Sequence, residues 1–377
     1  MNKIYLDNNS TTQIDPKVLK AMLPYFNEKY GNPSSQSHAF GWEANAAVDI
    51  AREKIAALIN ANSDEIIFTS GATEANNLAI TGFLGGKESE NYHLITSSIE
   101  HKAVLDIFNP LKNKSTFVTP DKKGIIDVSD VKKSINKNTT LISIMHANNE
   151  IGSIQPVKEI GALCKKNNIT FHVDAAQSLG KIDIDVIDMN IDLLSISAHK
   201  VYGPKGIGAL YIKNKKPKLN IKPLIVGGGQ ENNYRSGTLP TPLIVGFGKA
   251  CEILSNQMVA DNLKIKNLAS NLTATILSKY PKSILNGPVN NRIPGNINFT
   301  FPFLKGMSIL RSIPQIAIAS GSACNSSDPK PSYVLTQIGR SKLETNTSLR
   351  IGIGRFNTQE DINIATDTII NAINKKI

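Results

Sequence analysis

Short apolar runs alternate with stretches of helical period over roughly residues 55–250. Runs rich in Ile, Leu, Val, Phe and Thr predict strands at 65–69, 92–97, 115–119, 141–146, 170–174, 193–197 and 209–212. Helical spacing falls between most of them, at 75–83, 157–167 and 242–255. Apolar strands alternating with helices predict an α/β fold, a mostly parallel central sheet flanked by helices on both faces. The link into 209–212 is Gly-rich and too short for a crossover helix, so that strand is expected to run antiparallel to its neighbour. Beyond residue 256 the texture changes. A long amphipathic helix is expected at 260–280, a turn and strand within 286–301, and strands at 316–320 and 348–353. A short helix is expected at 307–312 and a last helix at 358–376. These make a smaller α+β domain, and the N-terminal segment is expected to pack against it. The predicted boundaries are 15–255 for the large domain and 1–14 plus 256–377 for the small one.

Composition narrows the class. The 377 residues are 41% hydrophobic and 19% charged, as in globular proteins that fold in water. No apolar run reaches the length of a bilayer span. No apolar or Arg-rich leader precedes the short strand at Tyr5-Leu-Asp7, so a cytoplasmic location is expected and no membrane partner. The net charge of +11 raises a nucleic-acid reading. The lysines are scattered, however, and no basic run interleaves with aromatics, so a solvated basic surface is the better account and no direct nucleic-acid contact is expected. A non-catalytic basic RNA- or protein-binding module is the rival from another class. It predicts a colourless protein whose binding weakens steeply with salt.

The three cysteines show no metal-ligand spacing. Cys164 and Cys251 fall in helical segments and read as small core residues. Cys324 lies in Ala319-Ser-Gly-Ser-Ala-Cys-Asn-Ser-Ser-Asp-Pro-Lys-Pro-Ser332, a run of small, polar and Pro residues expected to form an exposed loop. An exposed thiol there can do sulfur chemistry.

Several predicted strands end in chemistry-bearing residues, where ligands gather in α/β folds. Leu193–Ser197 runs into Ala198, His199 and Lys200, then a Gly/Pro turn. A lone lysine at a strand end is ordinarily a surface residue. A desolvated one flanked by hydrogen-bonding groups can attack a carbonyl, as a Schiff base to pyridoxal phosphate requires. Ser70-Gly-Ala-Thr-Glu74 opens a helix; such a turn is often a simple N-cap, but its free N–H groups also suit a phosphate. His101 follows another strand and could stack on a cofactor ring and move protons. Asp174 ends a strand; it could be an N-cap, or the carboxylate that keeps a pyridine nitrogen protonated. Asn149 and Gln177 are amides placed to bind a ring oxygen and substrate. Gly227-Gly-Gly-Gln-Glu231 and Arg235-Ser-Gly-Thr238 form a polar loop with backbone donors, suited to a phosphate of this subunit or a neighbour, or merely to the surface.

These pieces resemble, in order, the signature of the cysteine desulfurases of the NifS/IscS-like group. Further matches are Tyr5-Leu-Asp-Asn-Asn-Ser-Thr-Thr12, Asn148-Asn-Glu-Ile-Gly152, His172-Val-Asp-Ala-Ala-Gln177, Tyr202-Gly-Pro-Lys-Gly206, Ser320-Gly-Ser-Ala-Cys324, Leu349-Arg350 and Gly354-Arg-Phe356. The resemblance implies a fold-type I pyridoxal-phosphate-dependent transferase, a homodimer that converts L-cysteine to L-alanine. By it, Lys200 carries the Schiff base, Asp174 pairs with the ring nitrogen, Gln177 contacts the ring oxygen, and His101 stacks and relays protons. Ala72, Thr73, Ser197 and His199 hold the phosphate, with Thr238 reaching in from the partner subunit. Asn149 and Arg350 bind the substrate carboxylate, and Cys324, on a long loop of the mobile-loop type, takes the sulfur as a persulfide. The sulfur would pass to an acceptor protein, an iron–sulfur scaffold or a tRNA or cofactor thiolation enzyme. No resident metal is implied, though Cys324 could be a transient iron–sulfur ligand. Alternatives on the same fold are an aminotransferase, a β-lyase or a selenocysteine lyase.

Overall fold

In the computed structural model, residues 3–87, 91–320 and 331–377 are described. The chain begins with β1 (Ile4–Tyr5). Seven strands then build the main sheet: β2 (Ile66–Thr69), β3 (His93–Ser97), β4 (Ser115–Val118), β5 (Thr139–Ser143), β6 (Thr170–Asp174), β7 (Leu193–Ser197) and β8 (Gly208–Ile212). Their spatial order is β2-β8-β7-β6-β5-β3-β4. The β3–β7 neighbours pair in parallel, whereas β8 runs antiparallel to both β2 and β7. The expected antiparallel member is therefore present, and it is inserted between β2 and β7.

Strand alternation divides the core in two. Ile66, Phe68, Ile95, Ile142, Leu194 and Ile196 point into one apolar cluster. Ile67, Leu94, Leu141, Leu193 and Leu210 point into the cluster on the other face. Both faces are covered, so these strands read as continuous apolar runs in the sequence. Cys164 and Cys251 are buried among the first set, and burial pushes both thiols up, away from reactivity.

The two helices expected at 242–255 and 260–280 are one element, Thr241–Lys279. Residues 256–261 contain neither Gly nor Pro, so nothing interrupts the helix. Its first half buries Phe247, Cys251 and Leu254 against the main sheet. Its second half buries Ile265, Leu268, Leu272 and Ile276 in a separate cluster with the C-terminal elements. A 20-residue helix, Ala39–Leu58, was not legible from apolar periodicity. Its buried face is largely small: Ala44, Ala47, Val48, Ala51 and Ile55. Such a stripe has low contrast, yet it allows close packing on the long helix, where a Cβ on Gly248 would lie 2.6 Å from Ala51 Cα. The helix expected at 75–83 is Ala72–Asn77, a π-turn at Leu78–Gly82, and Phe83–Gly85.

The C-terminal part forms an antiparallel sheet of β9 (Ile284–Leu285), β10 (Asn296–Thr300) and β12 (Ser348–Gly352), with β10 central. Helix Gln359–Asn374 packs over it. The N-terminal strand joins this part as expected, since β1 pairs in parallel with β11 (Ile316–Ala317). Among the described residues, no helix is long and apolar enough to cross a membrane.

Candidate active site

The parallel strands all end at one edge of the sheet, and β8 starts there. That topology brings the segments after β2, β3, β5, β6 and β7 around one cavity of about 550 Å³. Ala72, Thr73, His101, Asn149 and Asp174 line it, as do Gln177, Ser197, His199, Lys200 and Arg350. Thr238 does not; it is exposed. Cys324 lies outside the described residues. A larger cavity of about 770 Å³ opens between helix Ala39–Leu58 and residues 228–232, and it contains none of these groups.

At one end the turn after β2 meets the ends of β7 and β8. A Cβ on Gly208 would lie 2.5 Å from the Ile196 carbonyl and 2.7 Å from Gly71 Cα, so glycine is what lets the turn come this close. The first N–H groups of helix Ala72–Asn77 lack intrahelical partners and carry the positive end of its dipole. Burial pushes the Glu74 carboxyl up, but Arg235 and Ser70 outweigh this and hold it below its usual range. Its oxygens accept from Ser70 N at 2.8 Å and from Arg235 Nε at 2.9 Å, which fastens the turn to the 227–238 loop. His199 Nδ1 lies 3.0 Å from Thr11 Oγ1. Burial, then the charges of Lys200 and Lys205, push its imidazole down to about 4. It is neutral at pH 7, with one donor and one acceptor to offer.

The centre holds the groups suited to proton transfer. Lys200 Nζ donates to the carbonyls of Asn9 (2.8 Å) and Ser10 (2.6 Å). Asp174 is 5% exposed and accepts from Asn76 Nδ2 at 2.8 Å and Ala176 N at 2.9 Å. His101 caps helix Lys102–Phe108, its Nδ1 accepting from Ala103 N at 3.1 Å. That bond places the neutral ring's proton on Nε2 and fixes the ring's direction. Beneath it Glu100 is wholly buried. Burial pushes its carboxyl up to about 8 against the bonds from Ser97 and Met145, with Asp174 adding to the rise.

At the other end Arg350 is 3% exposed. Its Nη2 donates to Asp7 Oδ1 (2.9 Å) and Ser10 Oγ (2.5 Å), and Nη1 to the Asn149 carbonyl (3.4 Å). Its Nε and the Asn149 Oδ1 are buried with no protein partner among the described residues. A guanidinium with an unused donor suits a carboxylate ligand, which the neighbouring Asn149 side chain can meet only through its NH2. The segment leading to Cys324 ends here too, since Ala319 exchanges backbone bonds with Arg350. On the far side of the undescribed stretch, Ser332 Oγ donates to Glu150 Oε1, next to Asn149.

Sequence reasoning missed five contributors: Asp7, Asn9, Ser10, Asn76 and Lys181. The first three lie in the Asn/Ser/Thr run after β1, whose polar composition was the available signal. Asn76 lies one turn beyond Ala72 on the same helix. Lys181 gave no signal, because a lysine four residues after a glutamine is commonplace in any sequence; here the Gln177 Oε1 accepts from its Nζ at 3.1 Å.

A family model described as aminotransferase class-V matches residues 4–364. The chain is 52% identical over 378 residues to the cysteine desulfurase IscS of Rickettsia typhi, covering 99% of this chain and 91% of that one. Among solved structures, a NifS-like protein superposes with a TM-score of 0.89 at 34% identity, over 99% of each chain. A second, titled SspA in complex with cysteine, superposes with a TM-score of 0.83 at 40% identity, over 94% of this chain and 100% of that one.

Proposed function

The chain belongs to the cysteine desulfurases of the class-V aminotransferase family, and from that premise we propose how its cavity carries out the reaction on L-cysteine. The supporting observation is the meeting of Lys200, Asp174, His101 and Arg350 around one cavity at the sheet edge. The residues fit pyridoxal phosphate. An amine, a buried carboxylate and a small-residue turn with free N–H groups are the groups it needs, and the buried unpartnered atoms at Arg350 and Asn149 remain for a substrate. Lys200 would hold the aldehyde, Asp174 the ring nitrogen, Gln177 the ring oxygen, and Ala72, Thr73, Ser197 and His199 the phosphate. Bound there, the cofactor supplies an electron sink for charge at the substrate α-carbon.

Arg350 and Asn149 bind the substrate carboxylate and set the α-carbon's orientation. His101, which lines the cavity and carries its neutral ring's proton on Nε2, and the Lys200 amine hold and move protons. The Cys324 thiolate takes the sulfur: the substrate Cβ–S bond breaks, an S–S bond forms, and the protonated carbon skeleton leaves as alanine. Cys324 then carries a persulfide for an acceptor protein, an iron–sulfur scaffold or a thiolation enzyme. The working unit is a homodimer in which Thr238 completes the partner's phosphate site. Exposed Phe40 and Trp42, on the helix that borders residues 228–232, and exposed Ile225 and Val226, just before them, support this reading. Residues 15–255 act as the cofactor-binding unit, and 1–14 with 256–377 as the smaller one.

Two substitutions test the assignment together. Lys200→Ala is expected to abolish the cofactor absorbance that L-cysteine shifts, while Cys324→Ser keeps that absorbance and stops alanine release. An unchanged band in the first variant, or full activity in the second, would overturn the corresponding role.

A further inference from the structure

One buried amine near the cavity has no role in the reaction as described. Lys181 follows β6 and keeps only modest exposure. Among the described residues its one side-chain hydrogen bond is from Nζ to Gln177 Oε1, and no carboxylate is paired with it. Gln177 in turn donates from Nε2 to the Asn9 carbonyl at 2.8 Å, the same oxygen that accepts from Lys200 Nζ. Lys181, Gln177, Asn9 and Lys200 thus form one continuous chain of polar contacts. Lys181 and Lys200 also border one small void of about 20 Å³.

The chemistry of the amide gives this chain a direction. A carboxamide can present either its oxygen or its NH2 to a neighbour, and only its partners decide. An ammonium group is a donor alone, so it requires the oxygen. With Oε1 taken by Lys181 and one N–H by Asn9, the remaining N–H of Gln177 is left for a ligand in the cavity that Gln177 lines. The other charged groups around Lys181 leave it a net positive neighbour of the site. Arg350 stands on β12. Asp261, from the long helix, is engaged by Arg355 Nε at 2.8 Å. Burial, then the charges of Lys200 and Arg350, push the Lys181 amine down to about 7, so the ammonium and its charge are present in full only below that pH.

We propose that Lys181 is a positioning residue of the active site, fixing the Gln177 carboxamide with its NH2 towards the cofactor's ring oxygen and placing a positive charge behind Lys200. The proposal rests on reading the cavity as a pyridoxal phosphate site. A positive charge at that position disfavours protonation of the nitrogen that joins Lys200 to the cofactor.

The test is a pH titration of the holoenzyme's visible absorbance, without substrate, for the wild type, Lys181→Met and Lys181→Arg. The absorbance midpoint is expected to rise by up to about one pH unit in Lys181→Met and to stay at or below the wild-type value in Lys181→Arg, which keeps the donor and carries a charge that does not titrate. If Lys181→Met fails to fold, Lys181→Gln is expected to show the same upward shift. A purely structural role would lower the melting temperature and leave the midpoint in place, and that result would overturn the proposal. So would a Lys181→Arg variant that titrates like Lys181→Met. A wild-type protein with no cofactor absorbance would instead overturn the reading of the cavity.

Discussion

Replacing Arg350 by Lys isolates the geometry of the guanidinium from its charge. In the wild type the fork is held by Asp7 and Ser10 through Nη2, and Nε is the buried donor left unused. A substrate carboxylate arriving there can take the Nε–H bond while the Nη groups stay anchored, whereas an ammonium offers a point charge without that division of donors. Lysine keeps a positive partner for Asp7, so the fold is not left with a stranded carboxylate. The loss is then about one charge-assisted hydrogen bond, roughly 1.5–3 kcal/mol, or about 10- to 150-fold in kcat/KM. Most of it should fall on KM, because the carboxylate is held equally before and during the reaction. The assay is alanine release from L-cysteine and from L-cysteinamide, which lacks the carboxylate. Wild type should prefer L-cysteine by about the same factor, and Arg350→Lys should lose that preference, as a double-mutant cycle requires of a direct contact. An undiminished preference in the variant would refute the placement of the carboxylate at Arg350.

Three further substitutions probe what surrounds this contact. Gly208→Ala forces a methyl against Ile196 O and Gly71 Cα; it should destabilise by about 1–3 kcal/mol and weaken cofactor retention on dialysis, and unchanged retention would show that the turn is not held by this contact. Asn76→Ala leaves an Asp174 oxygen unpartnered in the interior; at about 1–3 kcal/mol for a buried acceptor, cofactor affinity should fall roughly tenfold or more, as measured by fluorescence titration of the apoprotein, and an unaltered affinity would separate Asn76 from the site. Glu100 is held up at about 8, above its unfolded value, so the stability it contributes is present in acid and is lost as pH rises through the folded value. Glu100→Gln should therefore gain melting temperature relative to wild type from about pH 5 to 8 and level off above; a difference independent of pH would contradict a buried carboxyl held up by desolvation.

Much of the site was readable because its chemistry depends on short-range sequence. A small-residue turn opening a helix, a carboxylate ending an apolar strand and a lysine after another each kept its local meaning when the chain folded. Residue by residue, Asp174, Lys200 and His101 stand where strand ends were expected. The helix Ala39–Leu58 was hidden for a physical reason, since an alanine stripe has little apolar contrast although it packs most closely.

The sequence by itself determined the kind of fold, the strand ends and the residue types waiting at them, because periodicity and capping act within a few residues. Only the tertiary structure decided which of them share a cavity. The order β2-β8-β7-β6-β5-β3 aligns five strand ends, and the N-terminal segment brings Asp7, Asn9 and Ser10 to Arg350 and Lys200 across more than a hundred residues. Such contacts are set by packing between distant parts of the chain, and no local pattern encodes them.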